Sequence, residues 1–236
     1  MDIKIIYEDN DVLVVDKPAE LVVFPEGESI KSNEKTLIDL LIDKYPDLKD
    51  IGSPPRYGIV HRLDKDTSGI LLAAKTNESL IFLQNQFINR EVEKKYTALA
   101  AGNIKEDSGE IKTLIGRAQG DKRKQKVYAE GEPGSENKRE AITTYKVLER
   151  LKDYTLLEVE IKTGRKHQIR CHLSYIQHPI AGDKMYGFKN SPMPEGLTRQ
   201  FLHAGYLKIK LPSGDTKEFK SDLPEDLQKV INNLKK

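Results

Sequence analysis

Residues 58–76, GIVHRLDKDTSGILLAAKT, set two apolar runs around a knot of charge. Ile59, Val60 and Leu63 on one side and Ile70, Leu71 and Leu72 on the other have the composition of buried strands. The stretch therefore predicts a hairpin driven into a core. Between the runs stand His61, Arg62, Asp64, Lys65 and Asp66. A turn needs only a side-chain acceptor and a glycine, which Asp66-Thr67-Ser68-Gly69 provides. If 59–63 is a strand, Arg62 and Asp64 share one of its faces, because side chains alternate. An arginine and a carboxylate at the mouth of a buried hairpin exceed what a turn requires and point to a functional pair.

The remaining segments add short strands and amphipathic helices. Strands are expected at 3–7 and 12–16 around an acidic turn, the second ended by Pro18. A helix fits TLIDLLIDKYP, capped by Thr36, with Leu37, Leu40 and Leu41 on one face and Pro46 as its stop. Another begins at Asn77 as cap and buries a broad face of Leu80, Ile81, Leu83, Phe87 and Ile88. KKYTALAAG returns to a strand. Residues 103–140 are polar and glycine-rich, and 117–140 reads as a long loop. A strand pair turns at Lys152-Asp153, a helix fits HQIRCHLSYIQHP, a hairpin turns at Ser213-Gly214, and Leu227, Val230, Ile231 and Leu234 mark a closing helix. No repeat or low-complexity linker divides the chain, so one domain over 1–236 is expected.

Composition narrows the function classes. The 37% hydrophobic content suffices for a core at 236 residues, and 39 Lys+Arg against 37 Asp+Glu leave a net charge of only +2. Affinity for nucleic acid must then come from local clustering. Cys171 is the sole cysteine, which excludes an intramolecular disulfide framework and a multi-cysteine zinc site. Leader-like and membrane-spanning runs are absent from the sequence, so a soluble cytoplasmic monomer is the expectation, with no membrane partner. HRLD evokes the protein-kinase catalytic loop but fails it: Leu63 separates Arg from Asp, and no glycine-rich phosphate loop precedes it.

Two further cationic clusters stand out. IKTGRKHQIRCH, 161–172, carries Lys162, Arg165, Lys166 and Arg170 without a carboxylate. Arg165 falls at the start of a predicted helix, where free amides favour anions. Lys162 and Lys166 read as a solvated face, and His167 and His172 are five apart, off the spacing of a helical zinc pair. RAQGDKRKQK, 117–126, sets five cations against one acid. A charge run of this kind is solvated surface by default, or a grip on phosphates if it borders a cleft.

Taken together these segments resemble the RluA family of RNA pseudouridine synthases. HRLDKDTSG at 61–69 is similar to the family's catalytic motif, and TGRKHQIRCH at 163–172 to its second catalytic segment. VLVVDKP near the start, KKYTALAAG at 94–102, AGDKMYG at 181–187 and FLHAGYL at 201–207 complete the set in family order. The resemblance implies an α+β fold with a mixed, mostly antiparallel central sheet flanked by helices, in a compact member without an N-terminal RNA-binding domain. It implies isomerisation of uridine to pseudouridine in ribosomal or transfer RNA, without metal or organic cofactor. Asp64 would be the catalytic carboxylate, Arg165 its counter-ion and Tyr96 the aromatic residue packing on the target uracil. Arg62 would enter the space left by the flipped base, and Ile169 would line the pocket. His61, Lys166 and Arg170, with Lys122, Arg123 and Lys124 of the basic loop, complete an expected RNA-facing set. The alternatives are an RNA-binding protein of the same fold whose catalysis has lapsed, and a glycoside hydrolase, which would need a second acid.

Overall fold

The computed structural model describes residues 2–26, 34–191 and 193–236. Its contacts divide the chain into two compact units, Met1–Glu93 with Ala204–Asp222 and Lys94–His203 with Leu223–Lys236.

In the first unit, β1 (Lys4–Glu8) pairs antiparallel with β2 (Val12–Lys17). The reversal is set by Asp9, whose carboxylate accepts from the amides of Asp11 at 2.8 Å and Val12 at 2.7 Å. β2 pairs antiparallel with β3 (Ser68–Ala74), from Val12 opposite Ala74 to Lys17 opposite Gly69. Every residue of β3 is buried, which accounts for its unbroken apolar sequence. β9 (Leu202–Lys210) lies beside β3 and forms the expected hairpin with β10 (Thr216–Lys220). Gly69 is forced by this neighbour: its φ is +117°, and a Cβ there would meet the Ala204 carbonyl oxygen at 2.3 Å.

Two helices belong to this unit. α1 (Leu37–Lys44) starts where Thr36 donates its amide and hydroxyl to Asp39, at 2.8 and 2.6 Å. Ile38 and Ile42, with Leu37 and Leu41, form its buried face, and Leu40 lies at the margin. Pro46, expected as a stop, opens a short 3-10 turn over Pro46–Asp50. α2 (Asn77–Ile88) is capped by Thr76, whose hydroxyl accepts from the Ser79 amide, and Asn77 instead bonds Gly52 and Asp50. Its buried face is narrower than its sequence suggests: Leu80 and Leu83 are inside, while Ile81 and Ile88 are 61% and 74% exposed. The buried Gln86 bonds both backbone groups of Lys210.

In the second unit, β4 (Glu93–Ala101), β8 (Tyr154–Ile161), β7 (Arg139–Leu151), β5 (Ser108–Arg117) and β6 (Gln125–Tyr128) lie side by side in that order, each pair antiparallel. Of the loop expected over 117–140, residues 117, 125–128 and 139–140 join the sheet, while 118–124 and 129–138 are turns and irregular backbone. Residues 108–128 are a hairpin whose polar outer residues gave little apolar alternation to read. α3 (Gln168–Tyr175) has six of its eight residues buried. α4 (Glu225–Leu234) buries Leu227, Val230 and Ile231, and Asp226 in its first turn takes a paired hydrogen bond from the buried Arg199. The fold class is α+β with mostly antiparallel strands, as expected. Among the described residues, no helix is long and apolar enough to cross a membrane.

Candidate active site

Asp64 stands on irregular backbone. Ile59 makes a single bridge to Ala73, and the chain then leaves the sheet, so the expected strand over 59–63 does not form. The reason lies in His61. Its Nε2 accepts the Leu72 amide at 3.0 Å, taking the place of a backbone carbonyl, and its ring stacks on Phe87 with centroids 4.9 Å apart. His61, expected to face RNA, is thus engaged in holding its own loop. The Thr67 amide donates to the Asp64 carbonyl at 3.1 Å and closes the turn.

Beneath this turn sits Lys17, fully buried. Its ammonium donates to the carbonyls of Pro18 and Leu21, both at 2.8 Å, and of Lys65 at 3.0 Å. Three donors meet three acceptors, one of them the peptide next to Asp64. Asp64 is half-buried. Arg62, also half-buried, pairs with Glu26 and lies 5.5 Å from the centre of the Phe24 ring. Burial pushes the Arg62 guanidinium below its ordinary pKa, and the Asp64 carboxylate opposes that shift.

The second unit carries Tyr96 and Arg165. Alternation along β4 puts Lys94, Tyr96 and Ala98 on one buried side, with Tyr96 opposite Val159 of β8. Burial pushes the Lys94 ammonium down to about 8, and Glu160 opposes the shift. After β8 ends at Ile161, residues 162–167 follow no regular pattern. Gln168 organises them. Its Oε1 accepts from the Thr163 hydroxyl at 2.8 Å and the Arg165 amide at 3.0 Å. Its Nε2 donates to the Ile142 carbonyl and the Thr143 hydroxyl, both at 2.9 Å. Arg165 is half-buried and donates Nε to the Glu140 carbonyl at 2.9 Å, while Lys166 is exposed and Ile169 is buried in α3.

Arg170 departs from the expected RNA-facing role. It is buried, its Nε and Nη2 bind both oxygens of Asp183 at 2.7 and 2.9 Å, and its guanidinium lies 5.0 Å from the Tyr186 ring centre. Asp183 also accepts the amides of Met185 and Tyr186, so the pair builds the 183–186 turn. The Tyr186 hydroxyl takes the Gln125 amide at 2.8 Å and lies 2.8 Å from His167 Nδ1, which ties the base of the β5–β6 hairpin to the start of α3. His172 is fully buried between the hydroxyls of Thr143 and Thr113, and burial pushes its pKa down to about 4. In the hairpin turn, Asp121 takes Nε and Nη2 of Arg123, both at 3.1 Å, and this pairing holds the carboxyl at about 2. Lys122 is exposed and Lys124 half-buried.

The sequence model described as RNA pseudouridylate synthase matches residues 11–175, which include both segments just described. An uncharacterized RNA pseudouridine synthase of Bacillus subtilis is 43% identical over 237 residues, spanning 100% of this chain and 74% of the relative. Ribosomal large subunit pseudouridine synthase D of Yersinia pestis is 37% identical over 242 residues, spanning 98% and 70%. This chain belongs to the RNA pseudouridine synthases. The solved structure of human RNA pseudouridylate synthase domain containing 1 matches with a TM-score of 0.73 at 27% identity, over 99% of this chain and 95% of that one.

The activity of this pseudouridine synthase is therefore that of an isomerase acting on RNA. Its first unit holds Asp64 with Arg62 and His61; its second holds Tyr96, Arg165, Lys166, Ile169 and Arg170. Reading residues by type missed Lys17, Gln168, Asp183 and Tyr186. Three of the four lie in segments already notable in the sequence, VLVVDKP and AGDKMYG, and Gln168 sits inside TGRKHQIRCH. Their uncharged or singly charged side chains gave no cluster to notice.

Proposed function

We propose that this pseudouridine synthase acts on specific uridines of structured RNA, with large-subunit ribosomal RNA the first candidate and transfer RNA the second. The ribosomal assignment follows the name of the Yersinia pestis relative. The observation that carries the reading is Asp64, half-buried at a turn whose neighbouring carbonyl is gripped by a fully buried ammonium. A carboxylate that must attack a substrate has to be held at one angle, and a partly desolvated one reacts more readily than a hydrated one.

In this reading the target uridine leaves its stack, at a cost of a few kcal/mol, before Asp64 can reach it. Arg62 fills the space it leaves, exchanging the Glu26 carboxylate for RNA. Asp64 attacks and the N1–C1′ bond breaks; the uracil then turns, C5 bonds to C1′, and the bond to Asp64 breaks to release the carboxylate. The C5 proton is lost and N1 gains one, so product and substrate are isomers and no electrons are exchanged. Tyr96 packs on the uracil, and the Arg165 guanidinium favours the ionised form of the nucleophile. Ile169 lines the pocket, and the exposed Lys122 and Lys166 meet phosphates. The enzyme works as a cytoplasmic monomer, and no step of this chemistry calls for a metal or organic cofactor.

Asp64→Asn tests the assignment. Pseudouridine formation on large-subunit RNA transcripts is expected to fall by about 1,000-fold or more, with RNA affinity within about threefold of the parent. Normal product formation by the variant would refute the role of Asp64. Failure of the parent enzyme on every RNA, with binding intact, would favour a lapsed enzyme that only binds.

A further inference from the structure

Arg165 has no ladder or helix to fix it, since residues 162–167 lie between β8 and α3. Its amide is held by one side chain, that of Gln168. We propose that Gln168 is the positioning residue that aims Arg165 for the isomerisation. This rests on the reading of Arg165 as counter-ion to the catalytic carboxylate.

The hydrogen-bond pattern allows the Gln168 amide only one orientation. The Ile142 carbonyl can only accept and the Arg165 amide can only donate, so Nε2 must face the first and Oε1 the second. Thr163 locks the same corner, accepting the Ile142 amide at 3.0 Å and donating to Oε1 at 2.8 Å. The hydroxyl of Thr143 accepts from Nε2 and lies 2.8 Å from His172 Nδ1, and Nε2 of His172 lies 2.9 Å from the Thr113 hydroxyl. One chain of donors and acceptors thus runs from Thr113 on β5 through His172, Thr143 and Gln168 to the Arg165 backbone. At the other end, the Glu140 carbonyl takes Nε of the guanidinium at 2.9 Å. Backbone and guanidinium are anchored to the same strand, β7, at Ile142, Thr143 and Glu140. A glutamine needed only to fill space would not have all four of its hydrogen-bonding positions used, on two backbone groups and two threonine hydroxyls.

The test compares Gln168→Met, which keeps the volume and removes every one of these bonds, with Arg165→Met and the double variant. Single-turnover isomerisation and RNA binding are measured on the full chain. Gln168→Met is expected to lower kcat by about 100-fold with KM within about threefold, as for a misplaced catalytic group. The double variant should be no slower than Arg165→Met alone. Wild-type kcat in Gln168→Met beside an inactive Arg165→Met would overturn the positioning role only. Wild-type kcat in Arg165→Met would overturn the counter-ion reading, and the positioning role with it. If Gln168→Met does not fold, Thr163→Val and Thr163→Ser decide: a loss of about tenfold in kcat that serine restores supports the proposal. Equal rates for the two threonine variants and the parent would refute it.

Discussion

Asp64 and Arg165 both stand on irregular backbone beside a strand, one just before β3 and the other just after β8. The two stretches are fixed by different means. Around Asp64 the anchor is a charge: the Lys17 ammonium binds three carbonyls, with His61 taking the Leu72 amide and Gly69 letting the backbone pass Ala204. Around Arg165 the anchors are neutral, an amide, three threonine hydroxyls and a histidine held uncharged. A buried ammonium is costly unless every donor is satisfied, so it works as an all-or-none clamp. A neutral network loses its members one at a time, so it can set an angle gradually.

This contrast can be broken first at Lys17. Lys17→Met leaves three carbonyls without their donor and is expected to lower unfolding free energy by roughly 4 kcal/mol, read from urea denaturation. A loss under about 1 kcal/mol would mean that the turn is held by the sheet and not by the ammonium.

Acid provides the second challenge. His172 resists protonation in the folded chain, with a pKa of about 4 against an ordinary 6.5. The unfolded chain takes up that proton first. The stability contributed by neutral His172 is therefore complete above about pH 6.5 and is lost as pH falls through about 4. The full loss is on the order of 3 kcal/mol by the linkage of pKa to stability. Thermal melts from pH 7 to 4 should show it, and His172→Asn should flatten that part of the profile. An unchanged profile in the variant would remove His172 from the network.

Salt gives the smallest effect. Neutralising Lys122, Arg123 and Lys124 together should reduce the slope of log RNA affinity against log salt by about 2. Arg123 contributes the least, because Asp121 already holds it. An unchanged slope would return the hairpin turn to ordinary solvated surface.

Elements with a clear period were legible in the sequence. The β7–β8 pair turned at the expected Lys152-Asp153, and α4 buried three of its four expected residues outright, with Leu234 at the margin. The stretch before Asp64 misled because a histidine ring replaces a peptide group in the ladder, and no periodicity encodes that substitution. The cation cluster 161–172 showed its charge but not its sorting. Arg170 finds Asp183 thirteen residues later, across a turn, and leaves Lys166 exposed. Residues 108–128 hid a hairpin because its outer face is polar and its strands are partly exposed. Motif resemblance singled out Asp64 and Arg165 as candidates, yet the groups that hold their backbone are uncharged or fully buried and carry no sequence signal of their own.

The central proposal is that the carboxylate at 64 and the guanidinium at 165 serve the same chemical step. Single-turnover isomerisation by Asp64→Asn, Arg165→Met and the double variant measures this directly. The account predicts a large loss in each single variant and no further loss in the double beyond Asp64→Asn. Losses that multiply, or an Arg165→Met enzyme as fast as its parent, would contradict it.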